Sequence, residues 1–479
     1  MKVLLVNPNR MRPVVAPLAL EYIVQGLRGE GIEYDILDLA FSEDPRADIA
    51  RYFSGNSPAA IGVTVRNTDD CYYLSGDFVL ERTKEITDEI RRHTDVPLIL
   101  GGVGFSAMPE AVISYLKADF GIVGEGEEAF PRLLRALRGD GDLSEVPGLI
   151  YRTEDGLVRN PIRYIDLGER NLSHRGAVDN LRYFCEGGMA GFETKRGCDR
   201  RCIYCLDPVS KGRWVRLRPP EDVADEIERL LSMGITHFHT CDSEFNVPEF
   251  HAVAVCEELV RRGLGDKIKW YAYASPRPFS EELASLMKRA GCVGIDFGVD
   301  HGDEGMLERL GRDFGPEALE KAVGLCRRYG IVCMFDLLLG GPGETGNTLR
   351  GAIEQMLRLA PDRVGVALGV RLYPNTRLAE LVVEEGFTPE NPNLRGQVDD
   401  NPDWLRPVFY LSRDLGENPA EYVGGIIRGD KRFFFPSRED IRRNYNYNEN
   451  QVLVEAIQRG YRGAFWDILR RLAEGEGAG

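Results

Sequence analysis

Three cysteines, Cys198, Cys202 and Cys205, stand in a C-x3-C-x2-C pattern on one short loop. Three thiolates so close together can hold three irons of a [4Fe–4S] cube and neutralise part of its charge. The fourth iron is then left open to bind and reduce a small molecule. A purely structural cluster would want a fourth cysteine nearby, but the next one, Cys241, lies in a different predicted element. The alternatives are a zinc loop or a disulfide pair. Zinc ligands usually come as paired C-x2-C units, which the x3 spacing suits poorly.

The rest of the chain sets bounds on what surrounds that loop. With 479 residues it is long enough for two or three domains. No apolar run of about 18 residues is present, so no membrane span is expected. The N-terminal run Val3-Leu4-Leu5-Val6 is too short for a signal peptide and reads as a first strand. The ten cysteines are mostly isolated, which points to a reducing cytoplasm rather than a disulfide framework. A net charge of −16 argues against a nucleic-acid partner, whose footprint is usually a basic face.

Residues 1–145 alternate short apolar runs with helix-period segments, as at 3–6, 34–39, 60–65, 97–102 and 120–124. Such alternation predicts right-handed crossovers and a parallel sheet, which binds ligands beyond the carboxyl ends of its strands. Those ends carry Asn7, Arg66, Gly101, Gly102, Gly124, Glu125 and Gly126. Residues 146–190 read as a connector. Residues 191–385 repeat strand then helix about six times, fewer than a full eight-fold barrel. From 386 to 479 prolines break the pattern. An aromatic, basic stretch follows at 431–436 and 444–448, then a last helix near 449–472, as a mostly helical, substrate-covering region. His237 and His239 alternate on one strand and share a face, reading as a satisfied core pair or a substrate contact.

The cysteine pattern, with Tyr204 before the third cysteine, resembles the radical S-adenosylmethionine superfamily. The first half resembles the cobalamin-binding domain that precedes the radical domain in one branch. The matching residues are Asn7-Pro8, Pro17-Leu18-Ala19-Leu20, Leu100-Gly101-Gly102 and Gly124-Glu125-Gly126-Glu127. The resemblance implies an α/β protein with a flavodoxin- or Rossmann-like cobalamin-binding domain and a partial (β/α)6 barrel. It implies that Cys198, Cys202 and Cys205 ligate a [4Fe–4S] cluster. S-Adenosylmethionine would then meet Glu244 or Asp242, Ser275 or Arg277, and Asp300 beside the ribose. The run from Gly340 to Thr345 resembles a structural turn of the same branch, and Arg371 and Tyr373 stand where residues face the reaction. The D-x-H-x-x-G motif of many cobalamin proteins is absent, and His93 sits in a polar helix, so no imidazole from that motif would ligate cobalt.

The implied activity is methylation of an unactivated carbon of a small metabolite or lipid-like substrate, through methylcobalamin and a 5′-deoxyadenosyl radical. Ring closure, ring contraction or carbon–carbon coupling is the alternative within the branch. A non-catalytic iron–sulfur regulator or binding module is the alternative outside it. A flavodoxin- or ferredoxin-type electron donor is the implied partner. A tRNA-sulfurating relative would carry three further cysteines in its first domain, where this chain has only Cys71.

Overall fold

The run Val3-Leu4-Leu5-Val6 has no exposed residue, so the strand it forms must be central. In the computed structural model, which describes residues 1–168, 174–435 and 449–478, that strand is β1 (Lys2–Asn7). Parallel to it lie β2 (Glu33–Asp38) on one side and β3 (Ala60–Thr64) on the other, followed by β4 (Leu98–Gly101) and β5 (Phe120–Ile122). The order 2-1-3-4-5 reverses direction between β1 and β3, the point at which such sheets open a ligand crevice. Two antiparallel strands, β6 (Leu149–Thr153) and β7 (Gly156–Arg159), extend the sheet beyond residue 145, into the segment the sequence pattern assigns to the connector.

The second sheet begins at β8 (Ala190–Phe192). A short antiparallel pair, β9 (Lys195–Arg196) and β10 (Arg216–Leu217), brackets the cysteine loop. The sheet continues with β11 (His237–Thr240), β12 (Lys269–Ala274), β13 (Cys292–Asp300), β14 (Val332–Leu339) and β15 (Arg363–Leu368), all parallel. Helices on its outer face bury one continuous apolar layer, from Phe192, Phe238 and Trp270 on strands to Ile227, Leu283 and Ile353 on helices. Truncating Leu283 to alanine would cost about 2–5 kcal/mol.

The C-terminal region is less purely helical than its sequence pattern suggests. Strands β16 (Val370–Arg371), β17 (Leu394–Gly396) and β18 (Val408–Tyr410) form a small antiparallel sheet. A two-residue strand, β19 (Phe433–Phe434), closes the barrel edge against β15. Residues 436 and 444–448 of the aromatic stretch lie outside the described residues. The last helix is two helices, Gln451–Gln458 and Phe465–Glu474, broken at Gly460 and Gly463. The second of these plugs the lower end of the barrel. Tyr271 donates a hydrogen bond to Asp467 (2.8 Å), and Trp466 packs edge-on against the Tyr271 ring. No helix among the described residues is long and apolar enough to cross a membrane.

Candidate active site

The cysteine loop is fixed from both ends. Gly197 turns it with φ +94°, and a side chain there would run into the Trp214 carbonyl. Cys198 N–H donates to the Gly212 carbonyl (3.0 Å), Ile203 N–H to that of Leu310 (3.0 Å), and Cys205 N–H to that of Cys202 (3.3 Å). All three thiols are free and half-buried. Burial pushes Cys198 up to about 11 and raises Cys202 and Cys205 as well. Bare thiolates are therefore disfavoured here, and a positively charged metal group is what restores them. Among the described residues no three Cys, His, Asp or Glu side chains converge on a single ion.

A charged ring borders the loop. Its hub is Arg312, which the strand pattern does not single out. The guanidinium donates to the Cys202 sulfur (3.0 Å), to the Gly298 carbonyl (2.6 Å) and to Glu244 (3.2 Å), and pairs with Asp300 at 3.4 Å. Asp300 holds φ +64° and accepts from the Tyr204 hydroxyl at 2.5 Å. Arg200 approaches Glu244 from the other side at 3.4 Å. Burial raises the Glu244 carboxyl, an effect that Arg312 and Arg200 only partly offset. Glu244 Oε2, Arg312 Nε and Ser275 Oγ are buried without a hydrogen-bond partner. A ring holding two carboxylates and a guanidinium with spare capacity fits a zwitterionic amino acid such as the methionyl end of S-adenosylmethionine.

Other residues expected to meet that cofactor are used differently. Asp242 takes hydrogen bonds from Thr194 N–H (2.8 Å), Thr194 Oγ1 (2.6 Å) and Lys195 N–H (3.3 Å), so it fixes the strand leading into the loop. Arg277 is exposed and donates to the Asp313 carbonyl at 3.3 Å. Glu244→Gln removes one charge from the ring while keeping its shape. We expect roughly tenfold weaker S-adenosylmethionine binding by calorimetry, with iron content unchanged.

The first domain presents its crevice at the β1/β3 switch point, where Asn9, Arg10, Arg66, Asn67 and Arg82 line a pocket. Asn7 lies beneath it, bound to Asp38 and Tyr183 (both 2.9 Å), and serves the core instead of a ligand. Gly102 has φ +101°, and a Cβ there would lie 2.5 Å from the Val65 carbonyl, so it packs the turn against β3 and does not line a channel. Gly101 is the open position: nothing lies within 4 Å of where its Cβ would be. Gly124 and Gly126 would meet Ile162 and Ile23. Glu125 is an inter-domain clamp. It pairs with Arg216 (2.7 Å) and Arg196 (3.2 Å) and accepts from Ile165 N–H (2.7 Å). A Leu at Gly101 would project into open space at the carboxyl end of β4 without striking a neighbour. We expect Gly101→Leu to lower cobalamin stoichiometry sharply in spectroscopic titration while thermal unfolding stays near wild type.

Tyr373 packs with the apolar core of the first domain and lies against its 69–71 loop. Its hydroxyl is 3.1 Å from Cys71 Sγ and 3.5 Å from Asp69 Oδ1. Burial first, then the nearby Cys71 and Asp69, holds the phenol well above its ordinary range, so it stays protonated. Arg371 is paired with Asp69 at 3.0 Å and stacks on the Tyr373 ring at 4.5 Å. It positions Tyr373 and has no spare reach of its own. His237 and His239 face inward. Burial lowers both to about 4, leaving them neutral, and His239 Nδ1 donates to the Thr240 carbonyl at 2.8 Å.

Comparison with known proteins accounts for this arrangement. Residues 192–356 match the radical SAM superfamily, and residues 9–134 match the B12 binding domain. The tryptophan 2-C-methyltransferase of Streptomyces laurentii is 32% identical over 97% of this chain and 95% of its own. The radical S-adenosylmethionine methyltransferase TsrM from Kitasatospora setae has been solved with tryptophan substrate and an S-adenosylmethionine analogue, aza-SAM, bound. It superposes with a TM-score of 0.91 at 33% identity, covering 99% of this chain and 98% of that one. The same enzyme with cobalamin and a [4Fe–4S] cluster bound gives a TM-score of 0.89 at 32% identity, with the same coverage. Cluster, S-adenosylmethionine and cobalamin are thus this protein's cofactors. The chain belongs to the cobalamin-dependent radical S-adenosylmethionine enzymes and is a methyltransferase of a small metabolite.

Proposed function

We propose that the protein methylates a ring carbon of tryptophan or of a closely related aromatic amino acid. The observation that carries this reading is likeness over nearly the whole chain to an enzyme named for methylating tryptophan at C2. The barrel interior supports it, because Tyr273 and His239 offer aromatic faces there, with ring centroids 4.6 Å apart. A ring carbon of indole is trigonal, so it can gain a methyl group and lose a proton. The saturated carbon expected from the family alone would first need a hydrogen atom removed.

When bound, the cluster supplies single electrons and cobalamin carries the methyl group. In this reading Cys198, Cys202 and Cys205 ligate the cluster. Glu244, Asp300 and Arg312 orient S-adenosylmethionine against it, with Tyr204 locking Asp300. Gly101, Arg66 and the crevice residues hold cobalamin, and Tyr373 keeps its proton at the boundary between the two domains. A flavodoxin- or ferredoxin-type protein is the electron donor, and the free thiols suit a reducing compartment such as the cytoplasm.

The test is direct. Anaerobically reconstituted protein is given S-adenosylmethionine labelled in its methyl group, cobalamin, a low-potential reductant and tryptophan. Labelled methyltryptophan is the expected product by mass spectrometry. Unchanged tryptophan, with all three cofactors bound, removes the substrate assignment.

A further inference from the structure

The cysteine loop leaves and re-enters the barrel domain through a narrow neck. Its strands β9 and β10 pair over two residues, Lys195 with Leu217 and Arg196 with Arg216. A two-stranded ladder that short is marginal by itself. The pairing also sets two arginines directly opposite each other, and like charges so placed destabilise a strand pair.

The charge that reconciles them comes from the other domain. Glu125 follows β5 and immediately precedes the helix Gly126–Leu137, at the carboxyl end of the first sheet. Its Oε1 accepts from Arg216 (2.7 Å) and from Arg196 (3.2 Å). Its Oε2 accepts from Arg216 (2.8 Å) and from Ile165 N–H (2.7 Å). The Glu125 side chain is 6% exposed, so water does little to screen these charges. Arg196 has two further acidic partners, Glu127 at 2.7 Å and Glu193 at 3.0 Å. Arg216 pairs with no carboxylate but Glu125 among the described residues.

The loop is clasped at the same boundary. Leu206, next to Cys205, packs with the apolar core of the first domain. Gly212 closes on the ring of Tyr164, which a Cβ there would meet at 2.8 Å. The Arg216 guanidinium lies over the same ring, 4.7 Å from its centre. A buried cluster of ion pairs is often no more stabilising than apolar packing of the same volume; what it can add is one fixed arrangement.

We propose that Glu125 is a positioning residue for methyl transfer. It bridges Arg196 and Arg216 across the neck, and so holds the cysteine loop in a set position relative to the ligand crevice of the first domain. Glu125 touches no reacting atom and acts through the two arginines. Transfer between two bound cofactors needs them in near contact, and a misplacement of about 1 Å costs roughly 100-fold.

The experiment compares reconstituted wild type with Glu125→Gln, which keeps the shape and loses the charge. A second variant, Glu125→Gln with Arg216→Gln, also removes the cation left without a partner. The rate read is transfer of a labelled methyl group from S-adenosylmethionine to reduced cobalamin, which needs no further substrate. Glu125→Gln is expected to slow that transfer by roughly 10- to 100-fold. Iron content, cobalamin stoichiometry and KM for S-adenosylmethionine should stay near wild type. Amide hydrogen exchange over residues 195–217 should quicken, while the strands of both large sheets exchange as before. The double variant should recover part of the rate and of the loop's protection, because no cation is then stranded opposite Arg196. Unchanged transfer in Glu125→Gln overturns the proposal. So does exchange that quickens throughout the protein, the mark of a general loss of stability, and so does a double variant slower than the single one. If Glu125→Gln does not fold, Glu125→Asp decides. It keeps the charge but is one carbon too short to span both arginines, and wild-type transfer in it overturns the proposal as well.

Discussion

Replacing Cys202 with alanine is expected to abolish methyl transfer and to leave the protein without a stable cluster. Two thiols remain on the loop, too few to hold a cube that has only three protein ligands. Arg312 also loses the sulfur that accepts its 3.0 Å hydrogen bond. Iron and sulfide per chain, together with the visible spectrum after anaerobic reconstitution, report the first effect, and product formation reports the second. Cobalamin binding should survive, because the crevice is built on a separate sheet with its own apolar core. A variant with full iron content and normal turnover would move the cluster elsewhere.

The second large effect is expected at Arg312. Its guanidinium spans Cys202, Glu244, Asp300 and the Gly298 carbonyl, with its side chain only 6% exposed. Removing one partner of a buried charged group leaves the others uncompensated, at a cost of about 3–5 kcal/mol. Arg312→Met should therefore lower the unfolding temperature and weaken S-adenosylmethionine binding by roughly 100-fold. Arg312→Lys should recover only part of each, because an ammonium cannot reproduce a planar fork that reaches several acceptors. Wild-type affinity and stability in Arg312→Met would remove this residue from the site.

The features legible in the sequence are the local ones. Short apolar runs such as residues 3–6 and 60–65 announce buried strands because every side chain on them is inside. The cysteine loop is legible because its three thiols lie within a few residues of one another, so spacing alone constrains the chemistry. Glycine runs mark strand ends, but which glycine does what is a matter of backbone conformation. Gly102 is bound to its turn by a positive φ and a close carbonyl, whereas its neighbour Gly101 faces open space.

What the sequence by itself determined was the two parallel α/β units, the cluster loop and the family, since periodicity and motif spacing are written in consecutive residues. The tertiary structure alone decided how distant charges meet. Arg312 reaches Cys202 across 110 positions, Glu125 reaches Arg216 across 91, and Asp242 is drawn to Thr194 across 48. Each carboxylate looks alike in sequence, and its role follows from which cation or amide the fold brings within hydrogen-bonding range. The same holds for β19, whose two residues carry no periodicity and become a strand only because β15 offers a free edge.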